Sequence, residues 1–203
     1  VGPFHVLTGP NGSGKSIFLS VPNVIGLFAQ EGLEAVWTAA RARAFDELTF
    51  CGQGSSFQLA VECALPENLL LKQDNGSTGS SYSHVRYEVE IGREDQSSNG
   101  EPRIMAENLW LLAATHETPR SDLVQSELEF PSTSKPRRRL IQERAPKGWR
   151  KIASKTGRQN SNFNSETTSW KLQIRNPAQK SALSTLPEDE RFSRANWFKS
   201  QFV

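Results

Sequence analysis

The sequence predicts an α/β fold in which a short strand, a glycine-rich turn and a helix lead into a mainly antiparallel β subdomain. An apolar run at Phe4–Thr8 is followed at once by the glycine-rich turn Gly9–Ser16. Apolar residues continue from Ile17 in the pattern of a helix. After Asp46, apolar and polar residues alternate with the period of two that is typical of strands.

Residues 1–50 are expected to hold the first strand and the helices that follow it. The helix from Ile17 onward contains Pro22, which lacks a backbone donor, so we expect the helix to kink or end there and to resume before Gly32. A second helix is predicted over Leu33–Arg43, where alanine and arginine favour helix formation.

Residues 51–180 are expected to form the antiparallel β subdomain, with long loops between its strands. The first strand of this subdomain is predicted by the alternating residues Phe57, Leu59, Val61 and Cys63, and the second by Val85, Tyr87, Val89 and Ile91. A third strand at Ile104–Leu112 follows the turn cluster Ser97–Gly100, which predicts a hairpin between the second and third strands.

The second half of the chain begins with residues 114–147, which are rich in proline and charge and are expected to be irregular. Trp149–Lys155 and Asn162–Glu166 predict another hairpin, closed by residues 156–158, and Trp170–Ile174 predicts one more strand. Residues 181–203 are expected to start a helical region, because an acidic, proline-containing segment precedes Arg191–Phe202.

The composition fits a single domain, or one lobe of a larger domain, with long solvated loops. The chain has 203 residues and a mean hydropathy of −0.54. Its longest apolar stretch, Ile17–Ala29, is interrupted by polar residues and is shorter than the roughly 20 residues that span a bilayer, so no membrane-spanning helix is expected. Cys51 and Cys63 lack the spacing of a zinc site or a disulfide framework, which favours a cytoplasmic location.

Charge is unevenly distributed along the chain, because residues 135–180 hold thirteen Lys or Arg against two acidic residues. Basic side chains within residues 135–158 could neutralise the phosphates of DNA or RNA, and Trp149 and Phe163 could stack on bases. The alternative is a solvated loop or hairpin whose charges balance the acidic remainder. The basic residues are Lys135, Arg137, Arg138, Arg139, Arg144, Lys147, Arg150, Lys151, Lys155 and Arg158.

The motif with the clearest chemistry is the turn Gly9–Ser16, which matches G-x-x-x-x-G-K-S between an apolar strand and an apolar helix. Glycines allow consecutive backbone amides to curve around a β-phosphate. The Lys15 ammonium would reach the β- and γ-phosphates in a catalytic role, and the Ser16 hydroxyl would bind Mg²⁺. The alternative is a flexible turn with an incidental lysine. The predicted nucleotide-binding residues are Gly9, Pro10, Asn11, Gly12, Ser13, Gly14, Lys15, Ser16 and Ile17.

The segment Val6–Ser16 resembles the Walker A segment of ABC-type ATPases of the SMC and RecF kind, and it is most similar to the proteins known as AAA family ATPases. In such proteins the first lobe joins the P-loop strand and helix to an antiparallel β subdomain. The resemblance therefore implies one partial domain over residues 1–203, a P-loop NTPase N-terminal lobe with an incomplete core. It also implies ATP and Mg²⁺ as ligands, and a homodimer in which two heads close on two ATP molecules. Weaker similarity lies at Glu31–Ala35, Phe45–Thr49, Ser181–Ser184 and Leu186–Asp189.

Several elements of the family pattern are altered or missing. Ile17 stands where members have a threonine whose hydroxyl contacts the α-phosphate, so weaker binding is expected. A Walker B strand of about four apolar residues ending in Asp-Glu is not found, since Leu69–Asp74 and Trp110–Leu112 only approximate it. Leu183–Ser184 lacks the glycines of a signature loop. The candidates for the family's Q-loop glutamine are Gln173 and Gln179.

These departures lead us to expect ATP binding by this chain, with ATP hydrolysis only when the missing Walker B and signature elements are supplied. Two alternatives remain open. One is a P-loop phosphotransferase that acts on a small acceptor, with residues 137–150 as an arginine-rich lid. The other is a non-catalytic nucleic-acid-binding fragment whose P-loop has decayed.

Overall fold

The computed structural model describes residues 15–40, 42–49, 54–70, 82–93, 101–113, 140–156 and 160–202. The predicted first strand, Phe4–Thr8, lies outside this part of the chain. The helices are α1 (Lys15–Glu31), α2 (Leu33–Ala40), α3 (Glu67–Leu70) and α4 (Ser193–Ser200), with 3-10 turns at Phe45–Leu48, Ala182–Thr185 and Glu190–Phe192. The strands are β1 (Ser56–Ala64), β2 (Tyr82–Gly92), β3 (Arg103–Ala113), β4 (Trp149–Thr156), β5 (Asn160–Asn164) and β6 (Lys171–Arg175).

The six strands form one antiparallel sheet in which each strand pairs with its neighbour in the chain, in the order β1-β2-β3-β4-β5-β6. Tyr87 of β2 lies opposite Leu109 of β3, and Ala153 of β4 lies opposite Phe163 of β5. The strands predicted after residue 50 and the strand pairings of both predicted hairpins are thus confirmed. With its helices the described part of the chain has an α/β fold.

Helix α1 is continuous through Pro22, so the predicted end of the helix at this residue is wrong, whereas the alternative of a kink stays a prediction. Pro22 is exposed, whereas Ile25 and Phe28 of the same helix are almost fully buried. Proline inside a helix costs about 3 kcal/mol. Burying each large apolar side chain contributes about 1.5–3 kcal/mol, so packing against the sheet outweighs the lost hydrogen bond. Helix α2 forms as predicted but ends at Ala40, before Arg43.

The core lies between the sheet and the helices on one of its faces. Val85, Tyr87, Val89 and Ile91 of β2 are all buried there, as the alternating pattern predicts. The Phe198 ring of α4 packs on Tyr87, with ring centroids 6.0 Å apart. Strands and helices are thereby joined in one hydrophobic cluster.

The C-terminal helix α4 and the residues after it pack against α1. Gln30 Nε2 donates a hydrogen bond of 2.8 Å to the carbonyl oxygen of Phe202. A Cβ atom on Gly26 would lie 3.0 Å from the Phe202 side chain, so the close approach of these two segments depends on glycine at this position. The predicted helix at Arg191–Phe202 is confirmed, and its regular part is Ser193–Ser200.

The other face of the sheet is covered by the irregular segment after residue 139. Gln142 N donates to Glu88 Oε2 at 2.9 Å, and Asn108 Nδ2 donates to the Gln142 carbonyl oxygen at 3.1 Å. The side chain of Ile141, the residue before Gln142, is buried. The irregular structure predicted for 114–147 is confirmed over residues 140–147, and residues 114–139 lie outside the described part.

Candidate functional site

The start of α1 contains the last two residues of the glycine-rich motif Gly9–Ser16. Lys15 is the first residue of this 17-residue helix, and Ser16 lies in its first turn with an exposed side chain. Ile17 follows in the same turn. The remaining predicted nucleotide-binding residues, Gly9, Pro10, Asn11, Gly12, Ser13 and Gly14, lie outside the described part of the chain.

The first turn of α1 favours an anion electrostatically. The aligned peptide dipoles of a helix place a partial positive charge at its N-terminus, where backbone amides lack partners within the helix. The first turn of α1 contains no acidic residue that would occupy those amides or repel a phosphate. This end of the helix therefore suits a phosphate group.

A cavity of about 630 Å³ lies next to this turn, between α1, α2, the 3-10 turn Phe45–Leu48 and β1. Ser16 belongs to its wall, so the cavity reaches the glycine-rich motif. Most of the wall is apolar, and Glu47 contributes a carboxylate. Among the described residues the wall consists of Ser16, Ser20, Val21, Asn23, Val24, Val36, Ala39, Ala40, Ala42, Glu47, Leu48, Phe57 and Leu59.

The two candidate Q-loop glutamines lie at different places in the fold. Gln173 is exposed on the edge strand β6, and its Nε2 donates to Asn162 Oδ1 at 3.0 Å. Gln179 also has an exposed side chain, but its carbonyl oxygen accepts a hydrogen bond of 3.0 Å from Leu33 N at the junction of α1 and α2. Gln179 therefore lies at the C-terminal end of α1, roughly 24 Å along the helix axis from Lys15, and the structure places neither glutamine beside the start of α1.

Part of the predicted nucleic-acid surface is committed to internal contacts. The Lys155 side chain is buried, and its ammonium donates to the carbonyl oxygens of Pro177 and Lys180. Phe163 is fully buried and cannot stack on a base. Arg150 Nε donates to the Ser165 carbonyl oxygen at 2.9 Å.

Other members of the basic segment differ in exposure. Arg144 and Lys147 are exposed. The Lys151 ammonium lies 4.5 Å from the centroid of the Trp110 ring, and Trp149 packs edge-on against the same ring with centroids 5.9 Å apart. Lys135, Arg137, Arg138, Arg139 and Arg158 lie outside the described part of the chain.

A buried polar cluster around Glu107 was not predicted from the sequence. Its carboxylate accepts hydrogen bonds from Tyr87 Oη at 2.7 Å, from Ser181 Oγ at 2.5 Å and from Ala182 N at 2.9 Å. Lys155 lies opposite Glu107 in the pairing of β3 with β4. Glu107 therefore anchors the 3-10 turn Ala182–Thr185 to the sheet.

Burial is the largest influence on the pKa values of Glu107, Tyr87 and Lys155 in this cluster. It raises the pKa of Glu107 above the ordinary value of 4.5, although the hydrogen bonds from Ser181, Ala182 and Tyr87 and the charge of Lys155 act in the opposite direction. Burial also raises the pKa of Tyr87 and lowers that of Lys155. These groups are fixed in packed structure and have no described access to a ligand, so we assign them a structural role.

The period-two pattern holds a signal for Glu107. In an alternating strand Glu107 shares a face with Leu109 and Leu111, both of which are buried, so a carboxylate on the core face could have been inferred from the sequence.

A second unpredicted carboxylate, that of Glu166, accepts hydrogen bonds from Ala195 N at 2.8 Å and Arg194 N at 3.2 Å at the start of α4. No local sequence signal connects Glu166 to a helix 28 residues away.

The described residues contain no cluster of three or more His, Cys, Asp or Glu side chains able to hold a metal ion. Among the described helices, none combines the length and the apolar character needed to cross a bilayer.

Comparison with known proteins identifies no relative. No protein-family model, no curated protein and no solved structure matches the chain.

Proposed function

We propose that this chain binds ATP together with Mg²⁺ through the turn Gly9–Ser16, as the nucleotide-binding lobe of an SMC/RecF-like ABC-type ATPase head. The supporting observation is that Lys15 and Ser16 occupy the first turn of the 17-residue helix α1. A phosphate-binding loop requires its lysine and serine at the start of a helix. The absence of acidic residues from that turn adds to the support.

Each residue of the motif has a distinct role in this proposal. The amides of Gly9–Gly14 would surround the β-phosphate, and the Lys15 ammonium would neutralise the β- and γ-phosphates. The Ser16 hydroxyl would be a ligand of the Mg²⁺, whose charge would offset that of the phosphates. The partial positive charge at the start of α1 attracts the same phosphates.

The chain by itself is proposed to bind ATP without efficient turnover. Hydrolysis in such heads needs a carboxylate pair at the end of an apolar strand, and the sequence has no such arrangement. Leu69 and Leu70, which are part of the nearest approximation, lie in the helical turn α3. Trp110–Leu112 lies within β3, which pairs with strands on both sides. The Walker B and signature elements would come from another segment or another chain.

Equilibrium titration with ATP, with and without Mg²⁺, tests the proposal. The wild-type chain is expected to bind ATP more tightly with Mg²⁺, and Lys15→Ala is expected to lose about 100-fold or more in affinity, since it removes a desolvated charge pair worth roughly 3 kcal/mol. Lys147→Ala, which removes an exposed lysine outside the motif, is the matched control. Equal affinities of wild type and Lys15→Ala would reject the assignment.

Two further measurements separate the roles within the site. Ser16→Ala is expected to reduce the gain in affinity that Mg²⁺ provides, while leaving Mg²⁺-free binding nearly unchanged. Release of phosphate is expected to be slow, with or without small acceptor molecules. Turnover by this chain alone that depends on an acceptor would favour a phosphotransferase over an ATPase head.

A further inference from the structure

We propose that the cavity between α1, α2 and β1 receives the nucleoside of the triphosphate, so that the base and ribose lie between these three elements. This inference rests on the proposed function and adds to it the place of the base. The cavity has a volume of about 630 Å³. Small-molecule sites in proteins commonly have volumes of about 300–1,000 Å³, so the space is sufficient for a nucleoside.

The link between the cavity and the phosphate site is Ser16. This residue belongs to the phosphate motif and also to the wall of the cavity. The wall continues along α1 from Ser16 to Val24, eight residues later, which corresponds to roughly 12 Å along a helix axis. A ligand whose phosphates lie at the start of α1 can therefore extend its nucleoside directly into the cavity.

The chemistry of the wall fits a flat heteroaromatic ring with a polar sugar. Val36 of α2 and Phe57 and Leu59 of β1 provide apolar surface for the faces of the ring. Asn23 of α1 contributes an amide, which can hydrogen-bond to ring nitrogens or ribose hydroxyls.

Glu47 determines which end of the nucleotide enters the cavity. Its carboxylate is the acidic group among the described lining residues, and its Oε2 accepts a hydrogen bond of 3.0 Å from Arg43 N. A carboxylate repels phosphate but accepts hydrogen bonds from ribose hydroxyls or an exocyclic amino group. The phosphates are therefore expected at the Ser16 end and the nucleoside near Glu47.

The first test compares ATP with inorganic tripolyphosphate on the wild-type chain, both titrated with Mg²⁺. The two ligands share the triphosphate, so any additional affinity for ATP comes from the nucleoside. ATP is expected to bind at least about tenfold more tightly, because the cavity buries apolar surface of the base. Equal affinities would overturn the inference and leave the phosphate site standing. Failure of both ligands to bind would reject the phosphate site, and the inference with it.

The second test fills the cavity from two walls. Ala39→Phe on α2 and Val21→Phe on α1 each place a ring in the space assigned to the nucleoside, and Thr38→Phe adds the same ring on the exposed face of α2. Affinity for ATP is expected to fall about tenfold in the first two variants and to stay unchanged in the third, with tripolyphosphate affinity unchanged in all three. Melting temperatures identify any variant that is unfolded. Unchanged ATP affinity in a folded cavity variant would overturn the inference.

Discussion

The hydroxyl of Tyr87 donates a hydrogen bond of 2.7 Å to Glu107, and both side chains are almost completely inaccessible to solvent. The two residues lie on the neighbouring strands β2 and β3. Because the same carboxylate also holds Ser181 and Ala182, the pair connects the sheet with the turn that precedes the C-terminal helix.

Tyr87→Phe is expected to lower the free energy of unfolding by about 1–3 kcal/mol, since it removes one donor from a buried carboxylate. Urea denaturation measures the change. Tyr82→Phe, at the start of the same strand and half-buried, is the control and should cost less. Equal losses in the two variants would show that the Glu107 contact contributes nothing.

The raised pKa of Glu107 predicts a specific pH dependence of stability. Between pH 4.5 and the raised pKa of the folded state, the folded chain holds the proton of this carboxyl more strongly than the unfolded chain does. Its contribution is therefore complete at low pH and is lost as the pH rises through the folded pKa. The stability of wild type relative to Glu107→Gln should fall by up to about 1.4 kcal/mol per pH unit in that window.

Unfolding free energies of wild type and Glu107→Gln at several pH values above 4 provide the measurement. The amide substitution can also shift stability by a constant amount, so the informative quantity is how the difference between the two proteins changes with pH. A difference that stays constant from pH 4 to 8 would contradict the prediction. Glu166, whose pKa burial also raises, is present in both proteins and cancels in the comparison.

Ile17→Thr is expected to tighten ATP binding by about tenfold, because the new hydroxyl can donate to an α-phosphate oxygen in a charge-assisted hydrogen bond. Ile17→Val is the matched control, since valine keeps the branched shape of threonine without its donor. The affinities follow from the same ATP titrations. An equal effect of the two substitutions would indicate that shape, and not the hydroxyl, controls this position.

Gly32→Ala is expected to destabilise the fold more than Gly148→Ala. Both glycines have positive φ, +96° and +82°, so alanine costs about 1–2 kcal/mol at either position. At Gly32 an added Cβ would also lie 2.7 Å from the Gln179 carbonyl oxygen, whereas at Gly148 it would approach the Ala113 Cβ at 3.3 Å. Thermal unfolding of both variants measures the difference, and equal melting temperatures would argue against the backbone clash.

Strand β2 could be predicted from the sequence because its period-two pattern of apolar residues matches the face that it buries. Val85, Val89 and Ile91 carry this information without reference to distant residues. The position of helix α1 was predicted from the sequence, but its continuity through Pro22 was not. Its packing against the sheet, which outweighs the effect of Pro22, involves residues far away in the sequence.

Of the candidate site, only the glycine-rich motif could be predicted from the sequence. The spacing of glycines, lysine and serine in Gly9–Ser16 indicates phosphate chemistry without any tertiary information. The cavity beside Ser16 was not predictable, since its wall combines α1 with Phe57 and Leu59 of β1, about forty residues later. For the same reason the internal roles of Lys155 and Arg150 could not be separated from a basic surface by charge alone.

The contact between Gln30 and Phe202 sets an order of events during synthesis. The two residues are 172 positions apart, so at about 5–20 residues per second a ribosome needs roughly 10–35 s to supply the second after the first. During that interval the side of α1 that packs against Phe202 remains exposed at this contact. Until Phe202 emerges, the nascent chain is therefore expected to be more vulnerable to aggregation at this flank and to benefit from a chaperone.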